Sequence, residues 1–127
     1  MDTNKKIENI LKLSKKDKYD YFIRKVVDFQ LIWGLNNDGW ALLGDDLDNQ
    51  IFPFWPEKEL AELCAVDKWS GYNAESIDLN LFLEKWIPGM EKDNIFVSIF
   101  YTPQSKGLTV SSEKLGNDIN EELEEYE

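Results

Sequence analysis

Pro53 and Pro56 constrain this chain more than any other pair of residues. They bracket Phe54 and Trp55 in the stretch IFPFWP, residues 51–56, and neither has a backbone N–H to give to a hydrogen-bond ladder. Pro53 therefore belongs on an edge strand, at a bulge or at a strand end. Pro56 suits the first turn of a helix, where the missing donor costs nothing. Residues 57–64 then put Leu60, Leu63 and Cys64 on one helical stripe. The stretch reads as a strand-to-helix corner, with Phe52 and Phe54 turned into the core and Trp55 half exposed.

The flanking sequence supplies the other elements. Ile7, Ile10 and Leu11 recur at helical spacing, and Ser14 can cap a second helix with Tyr19, Phe22, Ile23, Val26 and Val27 on one face. Asp38-Gly39 reads as a two-residue hairpin turn, because both central positions of a type I′ turn need positive φ. That turn would pair Asn37 with Trp40, Leu35 with Leu42 and Trp33 with Gly44. Trp33, Leu35, Trp40 and Leu42 then share one face and Ile32, Gly34, Ala41 and Leu43 the other, so the sheet should be covered on both sides. Gly34 and Ala41 are small enough to let a helix approach closely.

Residues 67–80 read as a loop holding Trp69 and Tyr72 around Gly71, with Ser76 or Asp78 capping a short helix that Pro88 and Gly89 stop. Its apolar stripe is Leu79, Phe82, Leu83 and Trp86. Residues 95–101 are almost continuously apolar and of strand length, which fits a central strand buried on both faces, and residues 108–112 fit its partner. Ser111 or Ser112 opens a last helix carrying Leu115, Ile119 and Leu123. Carboxylates crowd the end of that helix, where the dipole disfavours them, so fraying is expected there. Residues 1–127 thus read as one α+β domain: a mainly antiparallel sheet of four to five strands, with helices before, between and after them.

Composition removes many kinds of chemistry. The chain has no histidine, which excludes Ser-His-Asp and Cys-His catalysis and histidine-bound zinc. Cys64 is the single cysteine, so there is neither an internal disulfide nor a paired thiol, and its apolar stripe reads as core. No glycine-rich phosphate loop or dinucleotide fingerprint occurs. Asp45, Asp46 and Asp48 crowd one turn, but counting from Asp46 places Ile51 where a calcium loop needs glycine. No metal and no cofactor is expected. No run approaches the roughly 20 apolar residues of a membrane span, and the first ten residues lack a signal peptide's apolar stretch, so the reading is a soluble cytoplasmic protein.

Net charge is −11, and it is unevenly spread. Residues 1–25 hold eight Lys/Arg against four acids, whereas residues 26–127 hold six against twenty-one. Such a body repels nucleic acid and anionic membrane and favours a basic protein partner. Trp33, Trp40 and Trp86 fall in periodic apolar patterns and read as core. Trp55, Trp69 and Tyr72, with Asp45, Asp46 and Asp48 as an acidic rim, are the candidate partner-binding residues, since large rigid aromatics dominate protein interfaces. No catalytic residue is nominated. The leading reading is a small non-enzymatic protein-binding module. The alternative is a small-molecule- or metal-binding protein, or a carboxylate-dependent enzyme, with its pocket near Asp45, Asp46, Asp48 and Trp55. A homodimer through a sheet edge or helix is compatible with either.

The run YFIRKVVDFQLIWGL, then DGWALL, IFPFWPEKELAELCAVDKWSGY and IDLNLFLEKWIPGMEKDNIFVSIF, resembles a bacterial family known as domain of unknown function 2750. The likeness covers residues 19–119. Its most specific elements are Trp33-Gly34, the Phe54-Trp55-Pro56 corner, Trp69 with Tyr72, and Phe82 through Trp86-Ile87-Pro88. It transfers no catalytic residue. The small size and setting of that family look like those of immunity or accessory proteins.

Overall fold

A computed structural model describes residues 2–44, 50–102 and 107–126. Two helices come first, α1 (Asp2–Leu11) and α2 (Lys15–Phe29). Ser14 caps α2 by accepting the Asp17 N–H, and the helix ends on Gln30 in a left-handed conformation. Tyr19, Phe22, Ile23, Val26 and Val27 are its buried face, as their spacing predicts.

The strands that follow are β1 (Leu31–Asn36), β2 (Leu43–Gly44) and β3 (Gln50–Phe54). After α3 (Lys58–Leu63) and a 3₁₀ turn (Asp67–Trp69) comes β4 (Asn73–Asp78). Next are α4 (Leu79–Leu81), a π-helical turn (Phe82–Trp86) and α5 (Ile87–Lys92). The chain closes with β5 (Phe96–Ile99), β6 (Leu108–Ser111) and α6 (Ser112–Tyr126). This is an α+β fold. One four-stranded sheet runs β2-β3-β5-β6, and β1 and β4 form a separate antiparallel pair. Among the described strands only β3–β5 is parallel, with α3, β4, α4 and α5 in the crossover.

Pro53 explains how the two sheets meet. The backbone of Trp55 exchanges both hydrogen bonds with Trp33, while the Phe54 carbonyl accepts from Phe100 on the opposite side. Strand alternation therefore turns the Pro53 nitrogen toward the edge where Leu43 and Gly44 pair with the start of β3 and Trp33 bridges its end. Pro53 sits in the gap between those partners, where no donor is needed. Pro56 lies two residues before α3, not inside its first turn, because Glu57 takes the cap position. Leu60, Ala61 and Cys64 are buried beneath that helix, but Leu63 is 40% exposed, off the expected stripe.

The hairpin at Asp38-Gly39 is only a stub. Asp38 has the positive φ, 54°, expected of the turn, but Gly39 at 155° lies well beyond the roughly +90° of a type I′ turn. Asn36 bridges Trp40 across a three-residue loop, fixed by the Gly39 N–H donating to Asn36 Oδ1. The Trp40 ring then folds over Gly34, whose missing side chain leaves that room: a Cβ there would lie 2.9 Å from the ring. The long partner of β1 is instead β4, from Leu31 opposite Asp78 to Asn36 opposite Asn73. That segment reads as loop in the sequence because only Ile77 of it is buried. Its exposed Glu75, Ser76 and Asp78 are the polar dressing of an edge strand.

Pro88 does not stop its helix. The Ile87 N–H reaches back five residues to the Phe82 carbonyl, and this widened turn admits the proline at the start of α5. Asp78, not Ser76, caps α4. The π-turn stacks Phe82 on Trp86 and sets both against Phe54, with Trp40 and Phe52 edge-on to Trp86. Val97, Ser98, Ile99 and Phe100 are buried at the sheet centre, while Phe96 is partly exposed.

Candidate functional site

A concavity of about 810 Å³ forms an open groove between α2 and α6. Lys16, Tyr19, Asp20, Ile23 and Arg24 form its α2 wall, and Lys114, Asp118, Glu121, Glu122 and Glu125 its α6 wall, with Leu108 between. Helical geometry produces both rows. Positions i, i+3, i+4, i+7 and i+8 from Lys16 lie on one face of α2, and Asp118, Glu121, Glu122 and Glu125 repeat that spacing on α6.

Tyr19 anchors one end. It is buried, and its hydroxyl donates to Asp118 Oδ2 at 2.5 Å. Burial, then the hydrogen bond and charge of Asp118, raise the phenol above its ordinary value of 10.0. Lys114 donates to the same Asp118 oxygen at 2.9 Å, and its ammonium lies 5.4 Å from the centre of the Tyr19 ring. Among the described residues the ion pairs are Lys114–Asp118 and Lys6–Glu57. Glu121, Glu122 and Glu125 thus line the groove without an ion pair to Lys16 or Arg24.

A second polar node lies on the other side of α2. Tyr21 donates to Glu57 Oε2, and Lys6 reaches Glu57 Oε1 at 2.7 Å. The Tyr21 phenol is also raised, by burial first and by Glu57 second.

The sequence-derived candidates are placed differently. Trp55 is fully buried rather than half exposed, because its Nε1 donates to the Tyr101 carbonyl at 2.7 Å and its ring meets Trp69 edge-on. Trp69 is only 4% exposed, packed between Trp55 and Tyr101 with Lys68 over its ring. Tyr72 is half-buried at the same end of the molecule, following the turn at Trp69. Asp45, Asp46 and Asp48 lie outside the described residues. Trp33, Trp40 and Trp86, read as core, are half-buried and pack against it, whereas Cys64 is buried as expected. Its Sγ donates to the Tyr101 carbonyl, and burial pushes the thiol up to about 12. Among the described residues no three His, Cys, Asp or Glu side chains converge as metal ligands. None of their helices is long and apolar enough to cross a membrane.

A comparison with family profiles matches residues 19–119 to the family described as protein of unknown function, DUF2750. The chain belongs to the DUF2750 family. A search of curated proteins found no match. The DUF2750 match takes in the Tyr19–Asp118 end of the groove and the whole sheet, while α1 and the carboxylates beyond Ile119 flank it. The groove residues were not nominated from the sequence. Their signal was the four-carboxylate spacing on the last helix, which reads there only as an end opposed by the dipole.

Proposed function

We propose that this DUF2750 protein is a small non-enzymatic protein-binding module, immunity-like in covering a basic partner with an acidic face, and that the α2/α6 groove is that face. The observation that carries the reading is the row Asp118, Glu121, Glu122 and Glu125 along an open groove whose lining also holds the apolar Ile23 and Leu108. The row spans about 10 Å of helix, the length of two turns of a partner helix. A basic amphipathic segment laid along it would meet carboxylates at every turn and bury its apolar side against Ile23 and Leu108.

Two further facts support the reading. Three glutamates of the row fall in the last turns of α6, which holds no basic residue there. Negative charge at a helix C-terminus weakens the helix by a few tenths of a kcal/mol to about 1 kcal/mol, so folding alone does not account for them. The chain also lacks histidine, and its one thiol is buried and protonated.

The test is affinity capture from native lysate with the wild-type chain and with Glu121→Lys/Glu122→Lys/Glu125→Lys as baits, at low and high salt. A protein retained by the wild type at low salt only, and lost from the triple variant, is the expected result. Equal retention by both baits, or no salt-sensitive protein at all, counts against the reading.

A further inference from the structure

Helix α1 lies on the body like a ligand. Ile10 is its one buried side chain among those described, with Ile7 and Leu11 half-buried beside it. Its charged contact is Lys6 to Glu57, a carboxylate whose side chain is only 15% exposed and whose other oxygen accepts from Tyr21. The contact is not close-packed: a cavity of about 160 Å³ remains between Lys6, Ile7, Glu57, Glu59 and Leu60. The DUF2750 match contains Tyr21, Glu57, Glu59 and Leu60 and begins after α1. The joint is also built to part. Ser14 caps α2 through the Asp17 N–H, so α2 keeps its own start whether or not α1 is seated.

We propose that the seat of α1 is a docking surface for a lysine-bearing amphipathic helix of another protein, and that α1 is a displaceable strap occupying it in cis. The chemistry of the occupant is read from α1 itself: an apolar pair three to four residues apart to fill the space over Leu60, and a lysine directly before the first of them to meet Glu57. A half-buried carboxylate that loses Lys6 keeps only the Tyr21 hydroxyl, so an incoming helix must bring a cation. Tyr19 and Tyr21 point about 200° apart on α2, which sets this seat on the far side of that helix from the α2/α6 groove. It stands on its own observations, and reversing Glu121, Glu122 and Glu125 leaves it unchanged.

The test uses the ¹⁵N-labelled chain of residues 1–127 and a synthetic peptide of residues 1–13 as probe, followed by amide shifts at Tyr21, Glu57 and Leu60. In the wild type the tethered strap competes at an effective concentration of order millimolar, so peptide at about a tenth of that or less should move these resonances little. Ile10→Asp releases the strap, and the same peptide should then bind the seat saturably with an apparent affinity at least about tenfold tighter. Adding Glu57→Gln should abolish that gain. Lys6→Glu is the milder release, and Lys6→Glu/Glu57→Lys should reseat the strap and restore the wild-type response. Equal binding by wild-type and released chains overturns the proposal, as does peptide binding indifferent to Glu57. Loss of the near-ultraviolet circular dichroism in both Ile10→Asp and Lys6→Glu would also overturn it, because α1 would then be part of the core.

Discussion

Trp55→Phe, Cys64→Ala and the double variant test whether the Phe-Trp-Pro corner is a structural joint. Trp55 is fully buried, and its Nε1 shares the Tyr101 carbonyl with Cys64 Sγ, at 2.7 and 3.2 Å. Exchanging Trp55 for Phe leaves a space of roughly 40 Å³, worth about 1 kcal/mol at ~24 cal/mol per Å³. Lost transfer energy of the ring atoms adds about 1 kcal/mol, and the hydrogen bond about 1 kcal/mol more. Trp55→Phe should therefore cost about 3 kcal/mol, and Cys64→Ala about 1–2 kcal/mol. In either single variant the Tyr101 carbonyl keeps one of these donors; in the double variant it loses both. The double variant should exceed the sum of the singles by about 1 kcal/mol. Urea unfolding followed by tryptophan fluorescence measures all three. Additive losses, or a Trp55→Phe cost under about 1 kcal/mol, would refute the shared-acceptor account and leave Trp55 free for another role.

Gly34→Ala should destabilise by about 1–3 kcal/mol through overpacking, because its Cβ would meet the Trp40 ring at 2.9 Å; Trp40→Leu in the same chain should recover most of that loss in urea unfolding. Ser14→Ala and Asp78→Ala each remove a helix cap and should cost about 1 kcal/mol, additively in thermal or urea melts since the caps serve different helices. The folded Cys64 thiol holds its proton up to about pH 12, against an ordinary 9.0, and Tyr19 and Tyr21 are likewise raised. All three groups bind protons more tightly folded than unfolded, so their contribution is complete below pH 9 and lost as pH climbs. Unfolding free energies measured from pH 7 to 11 should fall above pH 9, and Cys64 should resist a thiol reagent at pH 8 until urea is added.

Much of this fold was legible because burial and period agree. The five apolar residues of α2, the apolar run of β5 and the caps at Ser14 and Asp78 all carry local signals that packing reinforces. What sequence could not give was choice of partner. Asp38-Gly39 announces a turn, yet the strand that pairs β1 along its length is Asn73–Asp78, polar because it is an edge. Pro53 announces a missing donor but not that two strands share one side of β3. The same limit hid the groove: Tyr19 and Asp118 are 99 residues apart, and only the α2–α6 contact makes them neighbours. The tryptophans erred in both directions. Position at a corner or in a turn suggested exposure for Trp55 and Trp69, which meet edge-on in the core, while Trp33, Trp40 and Trp86 are only half-buried against it.

The most direct test of the acidic groove separates its position from the charge of the whole molecule. Glu121→Lys/Glu122→Lys/Glu125→Lys and Glu8→Lys/Glu62→Lys/Glu84→Lys change net charge equally, but only the first set lines the groove. Affinity for a partner captured by the wild type should be measured for both by titration calorimetry at 50 and 300 mM salt. The groove account predicts that the first variant loses binding by about a hundredfold or more at low salt, while the second loses only the several-fold expected of long-range attraction. Equal losses in the two variants would contradict it and leave the net charge of the body, not the α2/α6 groove, as the source of any binding.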